Sequence, residues 1–344
     1  MPTYRYGNKG VKIFKHGSKG NYVYRYGILV YRAAPPVWSK AALTNMTIAR
    51  YSMAAAAIPN GGVVLVAGGN DISYDRLSLV EMYSSAGVRT TVNSLAEAVN
   101  GHAGYGYGDK AFFAGGWASY FTTNTANMYN SSGVRTTVAA LGVSRNNLAA
   151  AEAGGYVLFA GGGDYYGPST YVDAYNQSGT KTTVAALTSA GYPITAASCN
   201  NHAFIFSGNS NIVDIYTNTL TRNTTTLTSA GAVYATKLAQ GVVCAKYTEW
   251  TNYITTSGVV TSLQTLTRSS DKAGTIGGKA VFINSSVSKI FEIYDTTGVK
   301  ETAPFQLIYD ANSAIVTTLG ATMYIFGGYY DGDYQATVQT ISYK

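Results

Sequence analysis

The sequence predicts an all-β chain built from a repeated four-stranded unit, and three observations carry that prediction. The first is composition. Of 344 residues 46% are hydrophobic and only 12% charged, and 30 tyrosines outnumber the 24 lysines and arginines together. That balance is opposite to the low hydrophobicity and high charge of a disordered chain. The second is punctuation: 38 glycines but only 7 prolines divide short alternating runs, as in strands joined by tight turns that need positive φ. The third is self-similarity at a period of about 40–46 residues, the range of stacked repeat units. No run approaches the roughly 18 apolar residues of a membrane-spanning helix, so membrane insertion is not expected. Cys199 and Cys244 lie far apart and supply neither a CxxC pair nor a disulfide framework.

The units can be justified one by one. Residues 95–140 and 141–186 align directly. Each has a Gly pair (Gly115-Gly116, Gly161-Gly162) after an apolar strand. Each then reaches a Tyr (Tyr129, Tyr175), a Ser-Gly turn (Ser132-Gly133, Ser178-Gly179) and a Thr-Thr-Val strand. An earlier unit from Leu43 repeats the plan with Gly68-Gly69 and Tyr83. Later units start at Leu187, Leu227, Leu266 and Leu307, with Tyr216, Tyr253 and Tyr294 as the landmark tyrosine. The Gly pair decays to Ser207-Gly208, is lost in the fifth and sixth units and returns as Gly327-Gly328. Seven units of four strands follow. A lone four-stranded sheet cannot bury both faces, so neighbours stack radially into a β-propeller.

The Gly pair after an apolar strand, with a Tyr about 13–14 residues later and a turn into a final strand, resembles the kelch repeat. The resemblance covers residues 37–344. Where the family tends to carry Trp in the last strand, most units here have Thr or Val. Residues 37–42, with Trp38, are the exception: they align with the fourth strand of other units, whereas the last unit ends on its third strand at Lys344. The resemblance therefore implies a seven-bladed kelch-type propeller closed by an N-terminal strand, which removes an exposed sheet edge.

Residues 1–36 read as a separate arm. They hold Arg5, Lys9, Lys12, Lys15, Lys19, Arg25 and Arg32 and no acid, which accounts for the whole net charge of +7. Tyr4-Arg5-Tyr6-Gly7 returns as Tyr24-Arg25-Tyr26-Gly27, the alternation of short strands. The arm lacks the compact apolar stretch of a signal peptide. It reads either as a solvated tail or as a β-rich anchor docking an acidic surface, with Tyr4, Arg5, Lys12, Lys15, Tyr24, Arg25 and Tyr26 as the docking residues. Nucleic acid is not the expected partner.

Signals for chemistry are sparse. His16, His102 and His202 occupy unrelated positions, so no converging metal set is expected. Copper-dependent kelch-like oxidases need His and Tyr ligands and a Tyr–Cys crosslink, a set not matched here. Gly104-Tyr105-Gly106-Tyr107-Gly108 lacks the helix and Lys of a phosphate loop. No cofactor, metal or catalytic residue is expected. Acids in the loops (Asp71, Asp75, Asp164, Glu249, Asp331, Asp333) leave glycoside cleavage open.

The loops between second and third strands are the outstanding feature, because propeller loops carry function. They hold Tyr74, Trp117, Tyr120, Asp164, Tyr165, Tyr166, Trp250, Tyr329, Tyr330 and Asp331. Four-strand topology places them on the face that also carries the blade-to-blade connections, beside Arg50, Tyr51, Arg145, Asn146, Asn147 and Tyr192. Two readings fit: the aromatics cap the blades, or they form a platform for a glycan or a protein.

The expectation drawn from these features is a non-enzymatic recognition protein. Its propeller would meet a cell-surface glycan or receptor. Its arm would dock on other structural proteins of a phage particle, in several copies, which places the chain in the virion. The alternatives are a secreted glycan-active or oxidising enzyme on the same fold, or an intracellular interaction scaffold.

Overall fold

The computed structural model describes residues 3–344 apart from 6–10, 16–20, 26–27, 33–35, 192–193, 209, 232, 247, 285–288, 302, 312–313 and 331–332; side chains at 3–5, 11–15, 21–25, 28–32, 271 and 330 are likewise left aside. The described chain is all-β, its one helical element being the 3-10 turn Pro59–Gly61. It divides into two compact units: residues 1–39 with 343–344, and residues 40–342. In the first, Thr3–Arg5, Val11–Lys15, Asn21–Arg25 and Ile28–Arg32 form an antiparallel sheet in chain order. It contains Tyr4, Arg5, Lys12, Lys15, Tyr24 and Arg25, with Arg5 opposite Lys12 and Lys12 opposite Tyr24. Tyr26 lies outside the described residues.

The larger unit is a β-propeller of four-stranded antiparallel sheets. Sheet one is Ala54–Ile58, Val63–Ala67, Val80–Ser84 and Arg89–Thr91. Sheet two is Ala103–Tyr107, Lys110–Ala114, Ala126–Asn130 and Arg135–Thr137. Sheet three is Ala149–Ala153, Tyr156–Ala160, Val172–Tyr175 and Lys181–Thr183. Sheet four is Ile194–Cys199, His202–Ser207, Ile212–Tyr216 and Arg222–Thr226. Sheet five is Tyr234–Leu238, Gly241–Lys246, Trp250–Thr255 and Val260–Leu263. Sheet six is Ser270–Ile276, Lys279–Asn284, Phe291–Tyr294 and Lys300–Glu301. Sheet seven combines Ile315–Leu319, Thr322–Phe326 and Val338–Tyr343 with Trp38–Ala42 as its outer strand. Each first strand neighbours the first strand of the next sheet, and the last neighbours the first, so the sheets surround an axis. Close approach there demands small residues. A methyl group added at Gly106 would lie 1.5 Å from the Ala57 carbonyl oxygen of the adjacent sheet.

One position on the third strand of every sheet but the fifth ties the sheet to the chain entering it. Glu81, Asn127, Asp173, Asp214, Glu292 and Gln339 are all buried there. Each accepts a backbone N–H from the preceding connection: Thr47 (2.9 Å), Ala96 (3.1 Å), Gly142 (3.1 Å), Thr188 (3.0 Å), Thr267 (3.1 Å) and Ile308 (2.8 Å). A donor that would otherwise be buried unpaired is thereby satisfied. Two residues further along, on the same face, the landmark tyrosines Tyr83, Tyr129, Tyr175, Tyr216 and Tyr294 are fully buried. Burial pushes their hydroxyls well above the usual tyrosine range. The Tyr175 and Tyr216 hydroxyls donate to the carbonyls of Ala139 (2.7 Å) and Ala185 (2.6 Å), fixing the preceding fourth-strand exit. In sheet five the expected Tyr253 is not the landmark. Ile254 pairs with Val242 as Tyr216 pairs with Ala203, so Ile254 is the buried counterpart and strand alternation turns Tyr253 to the other face.

Candidate active site

The strand order puts the second-to-third loops and the sheet-to-sheet connections at one end of the propeller. Loop length is uneven there. Residues 68–79, 115–125, 161–171 and 327–337 form long loops on sheets one, two, three and seven, which are adjacent; sheets four and five are crossed by 208–211 and 247–249 alone. The aromatic face is therefore concentrated on four neighbouring sheets.

At the junction of sheets seven and one the side chains converge. Tyr51 and Tyr334 stack with centroids 4.1 Å apart and planes 13° apart. Tyr74 meets Tyr51 edge-on at 6.4 Å, and Tyr329 meets Tyr334 at 5.0 Å. Asn70 Nδ2 donates to the Tyr51 hydroxyl at 3.2 Å. Desolvation, then the neighbouring Tyr51, Tyr329 and Tyr74, raises the Tyr334 hydroxyl above its ordinary value. Tyr74 is 76% exposed in a left-handed conformation (φ 68°). Such a backbone is uncommon for an aromatic residue. It is held by Asp71, whose Oδ1 accepts the N–H groups of Ser73 (2.9 Å) and Asp75 (3.0 Å). Arg76 Nη1 donates to the Ser119 carbonyl at 3.1 Å, linking this loop to that of sheet two.

The structure thus unites Tyr74 and Tyr329 with Tyr51, which was expected beside the loop aromatics, and adds Tyr334. Tyr120 and the edge-on pair Tyr165 and Tyr166 are highly exposed, and Asp164 Oδ1 holds the Tyr166 N–H at 2.8 Å. Trp117 is half-buried in a small sheet against Asn100 and Thr122. Trp250 opens the third strand of sheet five and packs on the apolar cluster shared by sheets four and five. The Tyr330 side chain is not described, and Asp331 and Tyr192 lie outside the described residues. Asp75 and Asp333 are exposed on the loops that carry Tyr74 and Tyr334, and neither carboxylate takes a hydrogen bond among the described residues.

Arg50 and Arg145, expected beside the aromatics, are fully buried instead. Arg50 Nη2 pairs with Glu81 Oε2 at 2.8 Å and its Nη1 donates to the carbonyl of Leu79 (2.9 Å). Arg145 Nη2 pairs with Asp173 Oδ2 at 2.7 Å and donates to Phe159 O (3.0 Å), and Nη1 donates to Tyr171 O (2.6 Å). Each arginine ties the connection entering a sheet to the second and third strands of that sheet. Among the described residues no group of three or more His, Cys, Asp or Glu is placed to hold a metal ion.

No protein-family model and no curated protein matches this sequence. Solved structures do resemble the fold. A catalytically inactive His-to-Ala variant of virginiamycin B lyase from Staphylococcus aureus, with quinupristin, has a TM-score of 0.64 at 13% identity, covering 89% of this chain and 99% of that one. A streptogramin B lyase has a TM-score of 0.64 at 11% identity over 89% and 98%. YjhT has 0.56 at 9% over 86% and 95%. At such identities the likeness is one of fold. The lyases are nevertheless enzymes on a propeller of this form. That finding overturns the expectation of a non-enzymatic recognition protein on a phage particle.

Proposed function

We propose that this chain is an enzyme on a seven-bladed kelch-type propeller that cleaves a ring-bearing substrate, a glycan being the leading class. The observation that carries the reading is the stacked Tyr51–Tyr334 pair flanked by Tyr74 and Tyr329. Flat aromatic faces bind sugar rings with little loss of side-chain entropy, and their hydroxyls remain available as polar contacts. Asp75 and Asp333 stand on the same two loops. Carboxylates of this kind exchange protons with a leaving group or an attacking water, the chemistry of general acid–base cleavage. The long loops lie on four neighbouring sheets, so a substrate of several rings could meet more than one of them. Residues 1–36, with seven positive charges and no acid, serve in this proposal as an anchoring arm toward an acidic surface.

The test is incubation of the full chain with a panel of oligosaccharides and with quinupristin, reading products by mass spectrometry. Product formed by the native chain and lost in Asp75→Asn or Asp333→Asn supports the reading. No product from any member of the panel overturns it.

A further inference from the structure

Exposure separates two kinds of aromatic residue in this fold. The landmark tyrosines are fully buried, whereas Tyr120 is 84%, Phe121 77%, Tyr165 85% and Tyr166 93% exposed. With Tyr74, Tyr171 and Tyr329 they make up all the exposed aromatic residues among the described ones. Every one lies on the loops 68–79, 115–125, 161–171 or 327–337, so sheets one, two, three and seven share them and sheets four, five and six have none. Rings this exposed cap no blade. Single apolar residues scattered over a surface are ordinary, but a set confined to adjacent loops marks a recognition surface.

The loops are also laced together. Tyr51 and Asn70 exchange backbone hydrogen bonds of 2.9 Å, and Arg76 Nη1 reaches the Ser119 carbonyl of the next loop. Gly116 of that loop donates to the Arg145 carbonyl (2.9 Å), and Asn146 exchanges hydrogen bonds with Gly163 of the third. A fixed frame of this kind lowers the entropy lost when a ligand binds.

Charge narrows the partner. The chain carries +7 in all, yet the described residues of these loops hold four acids, Asp71, Asp75, Asp164 and Asp333, against one base, Arg76. The connections beside them add Glu97 and Asp310, while their arginines, Arg50 and Arg145, are turned inward onto Glu81 and Asp173. Bases return on sheet six, as Arg268, Lys272 and Lys289. Exposed aromatic faces beside carboxylates attract an organic cation, because the ring face is itself electron-rich; they repel a sulfated or carboxylated chain.

Resting on the reading above that the ring-bearing substrate is a glycan, we infer that its class is a polymer of amino sugars with free amines, glucosamine being the simplest. The chain runs from the Tyr51–Tyr334 pair over the loops of sheets one, two and three. Tyr120 with Phe121, and Tyr165 with Tyr166, take its outlying rings, and the loop acids hold its protonated amines.

The experiment is isothermal titration calorimetry of the full chain, below the pKa of the sugar amine, with glucosamine dimer and hexamer, N-acetylglucosamine hexamer and an oligolysine of equal charge. The glucosamine hexamer is expected to bind at least about tenfold more tightly than its N-acetylated form, with the difference shrinking as salt is added. Tyr165→Ala with Tyr166→Ala should weaken the hexamer about fivefold and leave the dimer unchanged. Asp71→Asn with Asp164→Asn keeps a side-chain oxygen to accept the Ser73, Asp75 and Tyr166 N–H groups and should lose the preference for free amines. Equal binding of the two hexamers, oligolysine bound as tightly as the glucosamine hexamer, or variants that bind the hexamer as the native chain does, overturns the inference. Binding is read without turnover, so a hexamer bound with this preference but not cleaved supports the ligand class and overturns only the cleavage.

Discussion

Replacing Arg145 by Val and Asp173 by Asn, singly and together, reproduces in sheet three the residues that sheet two carries at the matching positions, Val99 and Asn127. Both side chains are fully buried and joined at 2.7 Å. Arg145→Val leaves the Asp173 carboxylate with the Gly142 N–H and Lys181, whose Nζ is 3.7 Å away. Asp173→Asn leaves a buried guanidinium with only the carbonyls of Phe159 and Tyr171. Breaking a buried pair from one side costs about 3–5 kcal/mol. For a chain of this length, that is a fall in Tm of about 4–7 °C. The double variant leaves no uncompensated charge and is expected to lose only about 1–3 kcal/mol. A double-mutant cycle by denaturant unfolding should therefore give a coupling of at least ~3 kcal/mol. Additive losses would refute the view that each arginine and acid act as one unit.

Three further outcomes follow from the same geometry. Gly106→Ala sets a methyl against the Ala57 carbonyl oxygen at 1.5 Å, and circular dichroism should show a Tm loss exceeding that of any single core truncation; a native-like melt would contradict the close approach of sheets one and two. His102 is held neutral, with its pKa lowered to about 3 from about 6.5 when unfolded. The unfolded chain then binds the extra proton, so stability is complete above about pH 6.5 and falls as pH drops toward 3. Between pH 7 and 5 the loss from this group is about 2 kcal/mol, and His102→Leu should flatten the profile by that amount; an unchanged slope would show that the ring is protonated in the folded chain. Tyr51→Ala is expected to raise KM for the cleaved substrate at least tenfold while shifting Tm by under about 2 °C; a large Tm loss with unchanged KM would make the tyrosines a cap on the blades.

Much of the scaffold was legible because its signals are local. Gly-Gly pairs, such as Gly115 (φ 70°) and Gly116 (φ 111°), mark backbone that few other residues adopt, and in the first three units the buried tyrosine follows them by 13 or 14 residues. Trp38–Ala42 was recognisable as an outer strand since residues 37–42 align with the fourth strands of other units and the last unit ends on its third. The misplacements have equally physical causes. Tyr253 and Ile254 are adjacent, and a period of two does not say which of two apolar neighbours faces inward. Arg50 and Arg145 read as surface residues because their partners, Glu81 and Asp173, are distant in sequence. Aligning the units position by position shows an acid or amide recurring at the Glu81 and Asp173 position, but the arginine stands opposite it in units one and three and not in units four and six, so alignment alone does not single out the pair. The convergence of Tyr51 with Tyr334 was hidden, because the two lie at opposite ends of the chain and meet only where the propeller closes. Function was least legible of all, since one fold serves many chemistries and only the site distinguishes them.

The most direct measurement is turnover. The full chain and its Asp75→Asn, Asp333→Asn double variant would be compared on the oligosaccharide of the panel that binds most tightly, with bound substrate and released product followed in the same samples. The account predicts substrate bound by both proteins and product released by the native chain alone. Binding by both with product from neither, or equal product from both, would contradict it.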